Sequence, residues 1–375
     1  MKYFEEFVSN SIAGSGNQLY FRMAEGEVRT GRVFYRISVS GEYDYSLLFS
    51  NIMDSTYSNG KISHKNLICD SWVIHGARIG RCGKIDTGKP FSEMTMADEG
   101  CGSADITVSS LRRISFGGCE RKTVMPGEFF SSDPISLYFN AGEYLCLEIT
   151  YSGKMIPYHE ESLLPVFVKG EDGWQYSKLM PFASMIGCRR AVKGRIAYLG
   201  DSITQGIGTP PNSYLHWNAR LSEKIGNEYS HWNLGIGYGR AEDAASDGAW
   251  LYKAKQNDII FVCFGVNDIL QGAPEEKIIS DLTYIVRRLK ECGKRVILQT
   301  VPPFNYNAED TAKWQRINDY IKTELISVVD AVFDNIATLG ESEHPEASRF
   351  GAHPDEHGCE VWANALYDRL GYLFS

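Results

Sequence analysis

Three short segments in the second half of the chain place a hydroxyl, an amide and an imidazole at the ends of predicted elements. They are Gly200-Asp201-Ser202, Gly265-Val266-Asn267-Asp268 and His353-Pro354. A serine becomes a nucleophile when a base removes its proton, and a histidine can take that proton and return it to a leaving group. The segments therefore predict covalent catalysis by a serine, provided that the fold brings them together.

Ser202 is predicted to lie at the edge of a parallel sheet. The apolar run 196–199 stops at Gly200, as a buried strand does when it ends at the carboxyl edge of an open α/β sheet. His353 precedes a helical pattern, and Pro354 suits the first helical position, which leaves the imidazole free to reach the same edge. We predict that Ser202 is the nucleophile and that His353 is the general base and then the general acid.

An oxyanion formed on the substrate needs hydrogen-bond donors. The Ser202 N–H, the Asn267 side-chain amide and a backbone N–H from the glycine-rich segment 233–240 are the candidates. Within that segment we favour Gly239, with Gly237 as the second choice. Asp201 and Asp268 are expected to brace the backbone near the site rather than to react.

The second half of the chain has the alternating pattern of a parallel sheet covered by helices. The predicted strands are 195–200, 231–234, 258–265, 295–301 and 331–333. The predicted helices are 214–225, 241–253, 274–292, 310–327 and 354–370.

The pattern of the first half predicts a separate β domain. Short runs of β-branched and aromatic residues at 31–40, 106–110, 135–139 and 144–151 are separated by turn signals, a spacing typical of a β-sandwich or jelly roll. The length of 375 residues also favours two domains. We place a jelly-roll-like β-sandwich at 1–190 and an α/β domain at 191–375.

The three segments together resemble the motifs of the SGNH (GDSL) hydrolase family. Residues 200–206 are similar to its nucleophile block, 265–268 to its Gly-x-Asn-Asp block, and His353-Pro354 to its His-Pro block. The resemblance implies a flavodoxin-like three-layer α/β/α domain with a five-stranded parallel sheet that hydrolyses acyl esters without a metal. The first half, through segments 131–135 and 142–145, resembles the β-sandwich that precedes this domain in some bacterial carbohydrate esterases.

The chain departs from the family pattern at two positions. Phe350 stands where the family usually has an aspartate, three residues before the histidine. Either a Ser-His dyad operates with a backbone carbonyl orienting His353, or another acid orients it, for which the candidates are Asp334, Glu341 and Glu343. Tyr238 replaces the last glycine of the glycine-rich block, and one extra residue there would make Gly239 the oxyanion donor.

Two other interpretations of these residues are weaker. His353 and His357 fit a His-x-x-Glu-His zinc pattern, but Pro354 places His353 at the helix cap and no third ligand is evident. We therefore expect no metal and no cofactor. Aromatic side chains near the site could bind sugar rings, although core packing is the default for them; they are Tyr214, Trp217, Tyr238 and Trp250.

Composition excludes several classes of partner. The net charge is −9, and no cluster of Lys or Arg is longer than two residues, which argues against nucleic acid and anionic membranes. The first residues lack a signal-peptide pattern, and the nine cysteines form no CxxC pair. These features predict a cytoplasmic protein with reduced thiols, and they leave open whether it forms homo-oligomers.

The sequence as a whole favours a serine esterase. We expect it to remove short acyl groups, with acetyl favoured, from a carbohydrate or similar polar small-molecule or oligosaccharide ester. One alternative is a lysophospholipase or thioesterase of the same family. Another, suggested by the missing aspartate, is a catalytically inactive carbohydrate-binding protein.

Overall fold

The chain forms two compact units. The structure, a computed structural model, describes residues 2–55, 57–58, 61–62, 66–86, 88–100, 103–340, 348–349 and 352–374, with backbone alone at 57–58, 61–62 and 348–349. One unit comprises Met1–Met53 with Leu67–Ala191, and the other comprises Asp54–Asn66 with Val192–Ser375. The segment Asp54–Asn66 therefore belongs to the second unit, although the 125 residues Leu67–Ala191 separate it from the rest of that unit.

The first unit is built from antiparallel strands, apart from one parallel pair at a sheet edge. The larger sheet has the order Gly173–Tyr176, Val166–Gly170, Arg29–Arg36, Tyr144–Gly153, Trp72–Cys82, Ile106–Ile114 and Met96–Asp98, and Lys122–Val124 also pairs with Trp72–Cys82. The smaller sheet has the order Val8–Ser9, Met185–Cys188, Gly41–Ser50 and Phe129–Ser131, and Ile135–Phe139 also pairs with Gly41–Ser50. Leu19–Phe21 pairs with Ile156–Tyr158, and two short helical segments lie at Tyr3–Glu6 and Phe91–Glu93. Each of the four strands predicted in this half overlaps an observed strand.

The core of the first unit contains aromatic contacts between its two sheets. The Trp72 ring of the larger sheet lies 6.2 Å from the Phe130 ring of the smaller one, and Phe130 stacks on Phe49 at 5.1 Å. Trp72 Nε1 also donates to Asn51 Oδ1 at 3.0 Å, so its buried polar atom is satisfied. Burial of these rings accounts for the aromatic-rich strands of this half.

The second unit contains the five-stranded parallel sheet that the sequence predicts. Its strands are β1 (Gly194–Gly200), β2 (Tyr229–Gly235), β3 (Ile259–Cys263), β4 (Arg295–Gln299) and β5 (Ala331–Phe333). Its helices are α1 (Ser202–Gln205), α2 (Trp217–Ile225), α3 (Ala241–Ala245), α4 (Ala249–Ala254), α5 (Val266–Leu270), α6 (Glu275–Glu291), α7 (Ala308–Thr323), α8 (Ile336–Leu339) and α9 (Glu356–Leu370). Short helical turns lie at Leu325–Ser327 and Gly371–Leu373, and two small hairpins pair Tyr57–Ser58 with Lys61–Ile62 and Ser348–Arg349 with His353–Pro354. The prediction of an α/β domain is confirmed.

The strand order explains where a site can form. The order is β2-β1-β3-β4-β5, so β1 lies between β2 and β3. The chain passes from β1 to β2 on one side of it and then crosses back to β3 on the other side, so the direction of winding reverses beside β1. Ligands of open α/β sheets bind at this switch point, beyond the carboxyl ends of the strands. Gly200 ends β1, and a Cβ there would lie 2.2 Å from Thr204 Oγ1 and 2.5 Å from the Cys263 carbonyl oxygen. Only glycine permits the close turn that presents Ser202 at this edge.

Four predicted helices begin or end more than one residue away from the observed bounds; of these, the predicted 214–225 begins at Trp217 and the predicted 310–327 is Ala308–Thr323. The predicted helix 241–253 is two helices, α3 and α4, because Asp247 has a left-handed backbone with φ +54°. The prediction that Pro354 is the first residue of the last helix is wrong. That helix begins at Glu356, because the Asp355 side chain is the N-cap and accepts from the N–H groups of His357 and Gly358 at 3.0 and 2.9 Å. Within the described ranges, no helix combines the length and the apolar character needed to cross a bilayer.

A buried ion pair attaches the segment Asp54–Asn66 to α4, and its removal should destabilise the protein. Lys253 Nζ lies 2.5 Å from Asp54 Oδ2, and the two side chains are 1% and 0% exposed. Replacing Lys253 with methionine leaves a buried carboxylate without its cation, so we expect the free energy of unfolding to fall by about 3–5 kcal/mol. Urea unfolding of the full chain measures this. The matched control Lys193→Met removes an exposed pair with Glu228 and should leave the free energy of unfolding close to that of the wild type. Equal losses in both variants would contradict the assignment.

Candidate active site

Ser202 and His353 meet at the carboxyl edge of the sheet. Ser202 is the first residue of α1, directly after the N-cap Asp201, whose side chain accepts from the Ile203 N–H at 3.0 Å. Ser202 Oγ lies 2.8 Å from His353 Nε2, a hydrogen bond between residues 151 positions apart. A serine hydroxyl that is hydrogen-bonded to an imidazole nitrogen has the geometry needed for proton removal during nucleophilic attack.

Strand pairing positions the backbone of His353, and an aromatic ring contacts its imidazole. It lies in the short strand His353–Pro354, opposite Arg349, and the Phe304 ring meets its imidazole edge-to-face at a centroid distance of 5.3 Å. Gly208 has φ +103°, and a Cβ there would lie 2.8 Å from the His353 Cβ and 2.5 Å from the Pro354 carbonyl oxygen. The approach of this loop to His353 therefore requires glycine at position 208.

The structure gives one of the three candidate acids other partners. The Asp334 carboxylate accepts from the Ile336 N–H at 3.0 Å and from Thr300 Oγ1 at 3.4 Å, and it lies 3.9 Å from Lys322 Nζ. These contacts place it at the start of α8. Glu341, Glu343 and Phe350 lie outside the described residues. Whether a third acid orients His353 stays an open prediction.

The predicted oxyanion donors lie at the start of α1, in α5 and on the loop after β2. Asn267, at 9% exposure, donates from Nδ2 to the Gly239 carbonyl oxygen at 3.0 Å, which fixes one of its two N–H groups and orients the amide. The Gly239 N–H donates to the Ile236 carbonyl oxygen at 3.1 Å and closes a turn within its own loop. Tyr238 has φ +58°, so the loop keeps the left-handed geometry that glycine usually supplies. The choice between Gly239 and Gly237 as the backbone donor stays a prediction.

Comparison with known proteins gives the family of this region. Residues 198–361 match the sequence model of the GDSL-like Lipase/Acylhydrolase family, and they include Ser202, Asn267 and His353. The chain therefore contains a GDSL hydrolase domain. The family part of the sequence prediction is confirmed.

Several solved structures are similar to about half of this chain at low identity. A lipolytic protein of the G-D-S-L family from Veillonella parvula is 21% identical, with 47% of this chain and 98% of that protein covered and a TM-score of 0.41. The psychrotrophic esterase EstA from Pseudoalteromonas sp. is 18% identical, with 48% and 97% covered and a TM-score of 0.40. The acetyl xylan esterase AlAXEase is 17% identical, with 47% and 99% covered and a TM-score of 0.40. No curated protein matched the chain.

Two buried carboxyl groups brace the backbone of the GDSL domain beside these residues, as the sequence predicts. Burial raises the pKa of Asp201 to about 7, the hydrogen bond from the Ile203 N–H opposes this rise, and the charge of Asp268 adds to it. Burial likewise raises the pKa of Asp268 to about 7, against hydrogen bonds from the N–H groups of Ala241 and Glu242. Asp268 thus connects α5, which carries Asn267, to the start of α3.

The raised pKa of Asp268 predicts a pH dependence of stability. The Asp268 carboxyl binds a proton more tightly in the folded protein than in the unfolded chain, so proton binding stabilises the fold. This contribution to the free energy of unfolding is complete below about pH 4 and is lost as the pH rises through about 7. Asp268→Asn keeps an acceptor oxygen for Ala241 and removes this titration. Urea unfolding between pH 4 and 7 should show wild-type stability falling relative to the variant by up to about 1.4 kcal/mol per pH unit.

The control for this measurement is Asp319→Asn, which changes an exposed carboxylate on α7. Its unfolding free energy should run parallel to that of the wild type over the same pH range. Parallel curves for Asp268→Asn as well would contradict the prediction.

The aromatic residues singled out in the sequence divide into core and loop positions. Trp217 is fully buried and stacks on Trp362 at 5.0 Å, and Trp250 is buried and donates from Nε1 to the Leu234 carbonyl oxygen at 2.7 Å. For these two, the default of core packing is confirmed. Tyr214 and Tyr238 lie on loops with left-handed backbone, at φ +57° and +58°, and Tyr214 is buried whereas Tyr238 is half-buried.

The two histidines of the zinc pattern lie in different elements. His353 lies in a short strand, whereas His357 is an exposed residue in the first turn of α9. Among the residues that the structure describes, no three His, Cys, Asp or Glu side chains are grouped to hold a metal ion.

Sequence reasoning missed two residues that contact His353. Phe304 follows β4 in the segment Val301-Pro302-Pro303-Phe304, and its place after a strand of the same sheet was the available signal. Gly208 lies in a loop after the nucleophile motif, and nothing in the sequence distinguishes it from the glycines beside it.

Proposed function

We propose that the GDSL domain is a serine esterase that acts through an acyl-enzyme. The observation that carries the proposal is the 2.8 Å hydrogen bond between Ser202 Oγ and His353 Nε2, at the switch point of the sheet. It places a nucleophile and its base where open α/β sheets bind ligands.

The reaction then follows from the positions of the side chains. His353 Nε2 takes the Ser202 proton as Oγ bonds to the acyl carbon, and the carbonyl oxygen becomes an oxyanion. The Ser202 N–H, the second N–H of the Asn267 amide and a backbone N–H of the loop after β2 stabilise it. That backbone N–H is the one of Gly237, or the one of Gly239 once it no longer donates to the Ile236 carbonyl oxygen. The C–O bond to the alcohol breaks, and the alcohol leaves with the proton from His353. Water, deprotonated by His353, then attacks the acyl-enzyme, and Ser202 leaves with its proton restored.

We propose a short acyl ester, with acetyl favoured, of a carbohydrate or similar polar small molecule or oligosaccharide as the substrate. An ester substrate is supported by the resemblance to the family motifs at residues 200–206, 265–268 and 353–354. A carbohydrate as the esterified molecule is supported by the arrangement of the chain in two units. The net charge of −9 argues against anionic surfaces as substrates. The mechanism uses no metal and no cofactor.

We further propose that the first unit is a jelly-roll-like β-sandwich of the kind that precedes the catalytic domain in some carbohydrate esterases. The packing of Trp72 against Phe130 between its two antiparallel sheets supports a sandwich.

Labelling and a series of substrates test the function. A fluorophosphonate should label the wild-type protein at Ser202, with the peptide identified by mass spectrometry. The 4-nitrophenyl acetate, butyrate, octanoate and palmitate esters are then compared by kcat/KM, together with acetylated xylo-oligosaccharides, with and without a chelator. The highest kcat/KM for acetyl, unchanged by the chelator, is expected. A preference for palmitate would favour a lysophospholipase or thioesterase, and an unlabelled protein would favour an inactive binding protein.

A further inference from the structure

The orientation of the Asn267 amide depends on a loop that it contacts. We call residues 236–240, which follow β2, the oxyanion loop. Its Gly239 carbonyl oxygen accepts from Asn267 Nδ2 at 3.0 Å, and the turn that contains Gly239 is closed by the hydrogen bond to the Ile236 carbonyl oxygen. A shift of this loop would therefore move the amide that we propose as an oxyanion donor.

The buried carboxylate of Asp243 holds the end of the oxyanion loop, where Arg240 also lies 3.3 Å from the half-buried Glu242 carboxylate. Asp243, 1% exposed, accepts from the Arg240 backbone N–H at 3.1 Å, from Arg240 Nε at 3.1 Å and from Arg240 Nη2 at 2.6 Å. The Arg240 side chain is itself only 7% exposed, so the ion pair is shielded from water and its geometry is fixed by several hydrogen bonds. Arg240 directly follows Gly239, so this pair anchors the residue that orients Asn267.

The fourth hydrogen bond to this carboxylate comes from a residue nearly 190 positions away. Ser55 Oγ donates to Asp243 Oδ2 at 2.9 Å, and Ser55 is fully buried. Its neighbour Asp54 forms the buried ion pair with Lys253 on α4, which fixes the start of the segment Asp54–Asn66 within this unit. The remote segment thus supplies a donor that Asp243 needs to be fully hydrogen-bonded in a buried position.

We propose that Asp243 and Ser55 are positioning residues that hold the oxyanion loop in register with Asn267. The proposal rests on the proposed esterase function and adds to it that Ser55, which lies outside the residues 198–361 that match the family model, supports the oxyanion loop. Neither residue touches the substrate. They act through Arg240 and Gly239 on the amide that stabilises the oxyanion.

The test compares Asp243→Asn and Ser55→Ala with Asp281→Asn, which alters another buried aspartate, paired with Lys277 on α6. Misplacement of a catalytic group by about 1 Å costs about 10²-fold in rate. We therefore expect kcat for 4-nitrophenyl acetate to fall by about 10²-fold in Asp243→Asn and by about 10-fold in Ser55→Ala, with KM within about twofold of wild type. The control should keep its kcat.

Amide hydrogen exchange measured by mass spectrometry provides a readout that does not depend on activity. Peptides covering 235–245 should exchange faster in both variants, and peptides covering α6 should exchange at the wild-type rate. Unchanged kcat in Ser55→Ala and Asp243→Asn, with the proteins folded, would overturn the proposal, and so would faster exchange without any loss of kcat. If fluorophosphonate does not label the wild-type protein, the esterase function is refuted. The exchange experiment still tests the loop in that case, because unchanged exchange in both variants would show that neither Ser55 nor Asp243 fixes it.

Discussion

Ser202→Ala should lower kcat for ester hydrolysis by about 10⁶-fold, the size of the loss when the serine nucleophile of a triad protease is removed. The hydroxyl that His353 Nε2 contacts at 2.8 Å is the atom that bonds to the acyl carbon, and alanine has nothing to replace it. The side chain lies at the first residue of a four-residue helix, so the loss of one hydrogen bond should change the free energy of unfolding by about 1 kcal/mol. Steady-state kinetics and urea unfolding measure the two effects.

The matched control is Ser222→Ala on α2, where the hydroxyl donates to the Ala219 carbonyl oxygen at 2.6 Å. It removes a hydroxyl that also forms one hydrogen bond, and its kcat should equal that of the wild type. Retention of more than a few per cent of activity in Ser202→Ala, purified free of wild-type enzyme, would exclude Ser202 as the nucleophile.

His353→Ala should cost about 10⁴- to 10⁶-fold in kcat, because no other base is placed against the nucleophile in the described part of the chain. Asp334→Asn, by contrast, should cost less than about 10-fold, well below the about 10⁴ that an orienting acid contributes in a serine triad. The Asp334 carboxylate is occupied by the Ile336 N–H and Thr300 Oγ1, so the substitution alters the start of α8 rather than the imidazole.

Glu341→Gln and Glu343→Gln complete this series. We expect neither to approach the effect of His353→Ala, in keeping with a dyad in which a backbone carbonyl orients the imidazole. Circular dichroism of each variant establishes that it is folded. A loss of about 10³ or more in kcat for any one of the three amide variants would show that a full triad operates and that the dyad interpretation is wrong.

The elements of the GDSL domain could be predicted from the sequence because their periodicity is local. The residues at 196–199 are apolar without alternation, which is typical of a parallel strand buried on both faces, and all four are fully buried or nearly so. Helix α6 shows the spacing of an amphipathic helix, and its observed bounds, Glu275–Glu291, differ from the prediction by one residue at each end. The motif spacing also placed Ser202 and Asn267 just beyond strand ends, because glycines stop the apolar runs before them, whereas His353 lies in a short strand of its own beyond α8.

Helix starts were less predictable because competing caps differ by small free energies. Pro354 and Asp355 are both good residues for a helix start, and the structure uses Asp355 because its carboxylate satisfies two backbone N–H groups that would otherwise lack partners. The division of the predicted helix 241–253 follows from the left-handed backbone at Asp247; the Asp247-Gly248 pair is a local turn signal that the prediction did not use.

The sequence by itself determined which chemical groups the protein has and which strand ends carry them, because a hydroxyl, an amide and an imidazole are properties of single residues and strand periodicity is local. Only the tertiary structure decided that Ser202 Oγ lies 2.8 Å from His353 Nε2, that Gly208 admits His353 to the site, and that Ser55 reaches Asp243 from the remote segment Asp54–Asn66. These contacts join residues whose separation in sequence carries no signal. The contact of Ser55 is favoured by the burial of Asp243, whose carboxylate needs hydrogen-bonding partners wherever in the chain those partners lie.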